Sequence, residues 1–471
     1  MKRFLITSLA FFVVLVVNAQ KGIEGIWEGK LALGATSLRL VVNIKKDSTG
    51  YSATFDSPDQ GAKGIKTDGV VVRGDSLFVE VPSVGGRISG KLSNDSIING
   101  AWFQGASLPL LLKKVAAASE FKRPQTPKPP YAYLSEDVIY HNRNKSVQYG
   151  ATLTTPKGTG PFPAIILITG SGQQNRDEEL FGHKPFAVLA DYLTKKGYAV
   201  LRVDDRGVGQ TTGDAKAATS KDFATDVNAG IDYLKGRKEV DKTKLGLLGH
   251  SEGGMIAQLV AAERTDIAYL ISMAGPGQKI TDLMVDQNRA VLQSSGLSKQ
   301  AIDDYLKFYS ALIPLVINAP TDTAAKVAGF QLLNKWVTET PVQTVAATTG
   351  IKDSASKINF INSFAGQLRT PWFKYFMSYN PEPYIQKIRS KVLVINGEKD
   401  VQVAAKPNIA GWKASLLKSR SKKFDVIELK GLNHLFQHCI ACTVQEYGVI
   451  EETIAPEALN TIGDWLKKNV K

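Results

Sequence analysis

Along the first part of the chain the apolar positions repeat every second residue. Leu38, Leu40, Val42 and Ile44 alternate with Arg39, Val41, Asn43 and Lys45, and Leu77, Val79 and Val81 keep the same period. A period of two is the pattern of a strand with one buried face. Turn-forming clusters, Asp47-Ser48-Thr49-Gly50 and Asn94-Asp95, separate the runs. Residues 23–115 therefore read as a small all-β domain. Gly25-Ile26-Trp27-Glu28-Gly29 near its start is echoed by Gly100-Ala101-Trp102-Phe103-Gln104-Gly105 near its end. The echo predicts a barrel or sandwich that closes its first strand on its last.

Four prolines then fall within residues 116–131. Proline fixes φ and favours extended chain, so this stretch reads as a linker. From about residue 132 the pattern changes. Ala164 to Ile168 is a continuous apolar run, as expected of a strand buried on both faces. Phe186, Leu189 and Leu193 have helical spacing, and Gly197 supplies the stop. Further strands are predicted at Tyr198 to Val203, Leu245 to Leu248, Ile267 to Ile271, Val392 to Ile395 and Phe424 to Leu429. Leu459, Ile462 and Trp465 mark a last helix, with Pro456 in its first turn. This alternation predicts an α/β domain over 132–471 with a parallel, doubly wound sheet. One connection is out of scale. The strands ending at Ile271 and starting at Val392 stand more than a hundred residues apart, against a usual connection of about 2–6 residues. The intervening pattern is mostly helical, so a cap inserted at about 276–378 is expected over the active site.

Candidate chemistry sits at the ends of these strands. Gly249-His250-Ser251-Glu252-Gly253 matches G-x-S-x-G, between the apolar run Leu245–Leu248 and a helix carrying Met255, Ile256, Leu259 and Val260. That strand–turn–helix context is what the motif requires to present Ser251 as a nucleophile. A serine needs a base, and among His141, His183, His250, His434 and His438 the chain order Ser, acid, His leaves the last two. His434 follows the strand ending at Leu429 and is preferred to His438. The acid is expected after Val392–Ile395, where Gly397-Glu398-Lys399-Asp400 offers two carboxylates. Asp400 is preferred to Glu398. For the oxyanion hole one backbone N–H is expected from Glu252. The other is expected from the Thr169-to-Asp177 loop, at Ser171 or, next, Gly172.

These motifs, with the Asp204-Asp205-Arg206-Gly207-Val208-Gly209 turn, resemble the α/β-hydrolase superfamily. More narrowly, they resemble its secreted bacterial carboxylesterases with an N-terminal β extension. The resemblance covers 132–471 well and the extension loosely. It implies ester hydrolysis through an acyl-enzyme, with no metal and no cofactor, and a structural role for Arg206. A serine rather than an aspartate at 251 argues against halide or epoxide chemistry. A serine aminopeptidase-like enzyme on the same fold remains the rival. A ligand-binding protein with a silent hydrolase domain is the rival of another class.

Composition adds place and partners. Lys2 and Arg3, an apolar run from Phe4 to Val17, and Val17-Asn18-Ala19 before Gln20 read as a cleaved signal peptide over 1–19. The expected location is therefore secreted or periplasmic, without a membrane span after cleavage. No cysteine stands directly after the cut, which argues against a lipoprotein. The formal charge of +14 becomes 14 − 2 = +12 without Lys2 and Arg3. The basic residues are scattered, and the densest run, Lys418 to Lys423, follows a predicted helix, so no nucleic-acid partner is inferred. The expected partner is a small-molecule ester; the oligomeric state is left open. The only two cysteines, Cys439 and Cys442, read as a disulfide in an oxidising compartment. Free thiols, or a metal site shared with His434 and His438, are the alternatives.

Overall fold

A computed structural model describes residues 22–471 apart from 34, 35, 49, 61, 120, 121 and 422. The expected signal peptide lies outside the described residues. The chain divides into two compact units, Met1–Glu120 and Phe121–Lys471.

The first unit is antiparallel β. Its strands are β1 (Gly25–Leu33), β2 (Thr36–Asp47), β3 (Gly50–Ser57), β4 (Ala62–Lys66), β5 (Val70–Arg73), β6 (Ser76–Val81), β7 (Gly86–Asn94), β8 (Ile97–Phe103) and β9 (Ser107–Val115). The sheet order is β4-β3-β2-β1-β9-β8-β7-β6-β5, so the first strand does pair with the last. The result is a curled, half-barrel sheet. Alternate residues fill its inside, among them Leu40, Val42, Ile44, Leu77, Val79 and Val81. The two echoed tryptophans are both buried there, and Trp102 stacks on Phe55 with ring centroids 5.2 Å apart.

The second unit opens with an antiparallel hairpin, β10 (Leu134–His141) and β11 (Gln148–Thr155). The chain continues through β12 (Phe162–Ile168), α1 (Pro185–Lys195), β13 (Ala199–Val203), α2 (Ser220–Gly236), β14 (Val240–His250), α3 (Glu252–Glu263) and β15 (Tyr269–Met273). The insertion follows: α4 (Ile280–Ser294), α5 (Lys299–Ile317), α6 (Asp322–Glu339), α7 (Val342–Thr349), α8 (Ser354–Leu368), α9 (Pro371–Ser378) and α10 (Glu382–Ile385). Then come β16 (Lys391–Gly397), α11 (Ala405–Leu417), β17 (Phe424–Leu429) and α12 (Pro456–Asn469). The sheet order is β10-β11-β13-β12-β14-β15-β16-β17. From β13 onward every pairing is parallel, whereas β11 meets β13 antiparallel. The sheet is thus mixed, not wholly parallel as the sequence pattern suggests.

Two features bring the active-site loops together. The chain reverses its direction of travel across the sheet at β12, which lies between β13 and β14. Open α/β sheets leave a crevice at such a point, outside the carboxyl ends of the strands. The proline-rich stretch, expected to be a linker, is also divided. Residues 121–131 belong to the second unit, where Arg123 donates to the carbonyls of Phe181, Gly448 and Ile450 and Gln125 to that of Ile454. Those bonds satisfy carbonyls of an irregular loop and make the stretch a fixed strap.

Candidate active site

Ser251 stands between the last residue of β14 and the first of α3, with φ 54° and ψ −120°. A non-glycine residue at positive φ is strained, and the surrounding packing must hold it. The glycines at either side make that packing possible. A Cβ on Gly249 would strike the backbone of Gly253, and one on Gly253 would strike the carbonyl of Ile168. Ser251 N–H donates to the Met273 carbonyl at 2.9 Å. The turn is therefore clamped between β12 and β15.

The expected base and the expected acid come from adjacent strands. Asp400 follows β16 and His434 follows β17; both are buried. His434 Nδ1 lies 2.8 Å from Asp400 Oδ2. Asp400 Oδ1 accepts from the backbone N–H groups of Gln402 and Val403, each at 2.8 Å, and Asn396 Nδ2 donates to Oδ2 at 3.2 Å. The two loops are stitched backbone to backbone: Glu398 N–H donates to Leu429 and Lys399 N–H to Leu432. Asn433 shapes the turn under His434, its Oδ1 accepting from Leu435 and Gln437 N–H. With Nδ1 engaged by Asp400, Nε2 is the nitrogen available to serine. Ser251 and His434 line the same cavity.

The alternatives lie elsewhere. Glu398 is exposed and accepts from Gly431 N–H at 3.0 Å. His438 is exposed and sits between Glu452 at 2.9 Å and Glu457 at 2.7 Å. The hydrogen bond that its ring donates to Glu452 is the main reason that its pKa is raised. The structure therefore does not gather His434, His438 and the cysteines into one metal site. Cys439 and Cys442 are joined to each other. Among the described residues they form a cluster of ligand spacing with Glu446, whose carboxylate already accepts from Ile440 and Cys442 N–H.

Glu252 opens α3, and its N–H faces no intrahelical acceptor, as at any helix start. Gly170 N–H is committed to Glu178 Oε1 at 2.7 Å, and of the two residues expected to supply the second N–H, Ser171 lines the same cavity as Ser251. A Cβ built on Gly170 would lie 3.3 Å from Ser251 Cβ, which shows how closely the loop passes the nucleophile. The Glu252 side chain is buried. It accepts from Ser220 Oγ at 2.6 Å and from the indole Nε1 of Trp372, on α9 of the cap, at 2.8 Å. Burial pushes its pKa up, against the lowering effect of those donors and of the Ser171 hydroxyl. Asp205 behaves similarly. Burial raises it to about 7 although Gln174 N–H and Thr169 Oγ1 bond to it. Arg206 is bidentate to Asp226 on α2, a structural pairing.

A cavity of ≈ 360 Å³ opens over Ser251. Ile280, Leu283 and Met284 of α4 and Trp372, Phe373 and Phe376 of α9 form its cap side, with Trp372 stacked on Phe376 at 5.1 Å. Sequence reasoning did not single out Glu178 or His250, which pair at 3.1 Å beside the triad. The only available signal was a histidine in the variable position of G-x-S-x-G, and that position carries no rule.

The model of a family described as serine aminopeptidase, S33, matches residues 184–308. Esterase EstD of Thermotoga maritima is 35% identical over 146 residues, which cover 31% of this chain and 34% of EstD. An acyl transferase of Shewanella hanedai is 28% identical over 141 residues, covering 30% of this chain and 42% of that protein. The chain thus matches less than half the length of these curated relatives. Among solved structures, the Pyrococcus furiosus esterase Pf2001 aligns with a TM-score of 0.41 and 17% identity, over 72% of this chain and 94% of its own. The sheet order and the turn at Ser251 have the α/β-hydrolase pattern, and the sequence similarities to the family model and to EstD each cover about a third of the chain or less.

Proposed function

We propose that the chain is a serine carboxylesterase that cleaves small, uncharged carboxylic esters through an acyl-enzyme. The observation that carries the reading is the buried His434–Asp400 pair opening onto the same cavity as a strained Ser251. In this mechanism Ser251 Oγ attacks the ester carbonyl while His434 Nε2 takes its proton. The Glu252 and Ser171 N–H groups receive the developing oxyanion. His434 then protonates the leaving alcohol, and water resolves the acyl-enzyme by the reverse steps. Asp400 holds the ring and stabilises the imidazolium.

The cavity supports the choice of ester. No lysine or arginine is among its lining residues, and both ring nitrogens of His250 are engaged by Glu178 and the His434 carbonyl rather than offered to a substrate carboxylate or phosphate. Its cap side is aromatic and aliphatic, which suits an acyl chain. An aminopeptidase would need a free acid to bind the substrate's amino group. Glu178 and Glu252, the carboxylates in the lining, already accept hydrogen bonds from the protein. The similarity to EstD supports the esterase reading; the aminopeptidase family description keeps an amide arm in the test. Secreted or periplasmic action is part of the proposal and rests on the signal-like residues 1–19. No helix among the described residues is long and apolar enough to cross a membrane.

The test is fluorophosphonate labelling, followed by p-nitrophenyl esters of increasing chain length and aminoacyl amides. Wild type is expected to label and to prefer short esters, and Ser251→Ala to do neither while remaining folded. Faster cleavage of aminoacyl amides than of any ester would replace this reading with the peptidase one.

A further inference from the structure

We propose that His250 and Glu178 form a second buried acid–histidine pair, with His250 held as an imidazolium, that positions the catalytic base and the oxyanion loop together. The proposal rests on the roles assigned above to Ser251 and His434. Its basis is the set of partners around one ring. His250 Nε2 lies 3.0 Å from the backbone carbonyl oxygen of His434. A carbonyl can only accept, so Nε2 carries a proton. His250 Nδ1 lies 3.1 Å from Glu178 Oε1. That same oxygen accepts the Gly170 N–H at 2.7 Å, so it too is an acceptor and Nδ1 donates. Both ring nitrogens are protonated only in the cation.

The surroundings agree. His250 is buried, its ring 4.8 Å from that of His434 and edge-on to Phe436 at 6.3 Å. The charged or titratable groups that act on it are Glu178 after β12, His434 after β17 and Asp400 after β16. Burial alone would lower its pKa; Glu178 outweighs that, helped by the His434 carbonyl and by Asp400, and the net direction is upward.

The consequence is mechanical: one pair ties together Ser251's neighbour, the carbonyl of the catalytic histidine and the N–H of Gly170 that sets the oxyanion loop. His250 and Glu178 are positioning residues, since they act through His434 and Gly170.

The experiment compares His250→Gln, Glu178→Ala and Glu178→Gln with wild type in the full chain. It measures the rate of fluorophosphonate labelling of Ser251 and kcat/KM for p-nitrophenyl acetate between pH 5.5 and 9. Circular dichroism gives the folded fraction. His250→Gln is expected to slow labelling about tenfold at pH 8, through misplacement of the base. The loss should shrink as pH rises and wild-type His250 gives up its own proton. KM should change less than kcat. Glu178→Gln keeps an acceptor oxygen and should retain more rate than Glu178→Ala. A His250→Gln profile parallel to wild type at every pH, or losses that track the folded fraction alone, would overturn the pair. Wild type that labels but cleaves no ester would overturn the esterase reading and leave the pH comparison intact. Wild type that does not label would overturn both.

Discussion

The loops at the carboxyl edge of the sheet and the helical cap face the same cavity with opposite chemistry. The loops present buried polar groups whose partners are fixed: Asp400 by two backbone N–H groups, His434 by Asp400, and Gly170 N–H by Glu178. The cap presents stacked rings and aliphatic side chains, and reaches the loops through the bond from Trp372 Nε1 to Glu252. Fixed dipoles in a buried site are what an acyl-transfer transition state needs. An apolar wall discriminates weakly between acyl chains, by a factor of about ten or more per methylene. Under the proposed function, the chemistry falls to the loops and the selectivity to the cap. That division also says where each should fail.

The largest effect is expected in the loops. Asp400→Asn keeps the shape but presents the wrong hydrogen-bonding partner to His434 Nδ1, and kcat should fall about 10³- to 10⁴-fold. His434→Ala should cost at least as much. Both losses should be the same for every ester tested, and kcat/KM across a chain-length series checks this. A loss confined to long esters would contradict the division of labour. The cap should behave in the reverse way. Trp372→Ala removes an aromatic wall and a donor to Glu252, and should shift the octanoate-to-acetate ratio of kcat/KM about tenfold. Equal losses on all chain lengths would place Trp372 in the packing of the cap instead.

A stability experiment sharpens the same contrast. His183, 1% exposed, bridges Thr453 Oγ1 and the Tyr447 carbonyl, in the segment that backs the His434 loop. Burial, reinforced by Arg123, lowers its pKa to about 4 from 6.5. The fold therefore prefers the neutral ring. Its contribution is fully present above pH 6.5 and is lost as pH falls from there through about 4. The loss should reach about 2 kcal/mol. Urea unfolding at pH 7 and pH 4.5 measures it. His183→Gln, which takes no charge, should have a flatter dependence on pH over this window.

How much of this was legible depends on burial. The central strands, Ala164–Ile168 and Val392–Ile395, are buried on both faces, and continuous apolar runs announced them. The antiparallel hairpin was not announced. Leu134 and Ile139 of β10 are exposed, and β11 is built largely of glycine and threonine, so neither strand shows a clean period. Ser251, Asp400 and His434 were readable because each follows a predicted strand and the chain order is fixed by the fold. Glu178 and His250 were not. Their partnership spans 72 positions and joins the loops after β12 and β14, which only the sheet order brings side by side. The proline strap was misassigned for a similar reason. Most of its hydrogen bonds run from Arg123 and Gln125 to carbonyls more than three hundred residues away, and nothing local signals them.

The smallest effect is expected from the Cys439–Cys442 bridge, although it lies only a few residues beyond His434. The sequence suggested that it could stiffen the base-bearing loop. The structure shows that loop held by other means. Asn433 and Gln437 bond to each other through their side chains at 3.0 Å, and Ala455 N–H donates to Phe436. Beyond them Glu446 accepts from Ile440 and Cys442 N–H, so the bridged turn keeps its own polar support without the disulfide. The ring closed by the bridge is also very small, which limits the entropy that it removes from the unfolded chain. Cys439→Ser with Cys442→Ser should therefore cost about 2 kcal/mol or less in urea unfolding. It should leave kcat for acetyl esters within about twofold, the range of a change that does not move the base. Mass spectrometry of protein expressed in the periplasm should find no alkylatable thiol in wild type. A fall in kcat far beyond the stability loss would show that the bridge acts on His434 after all.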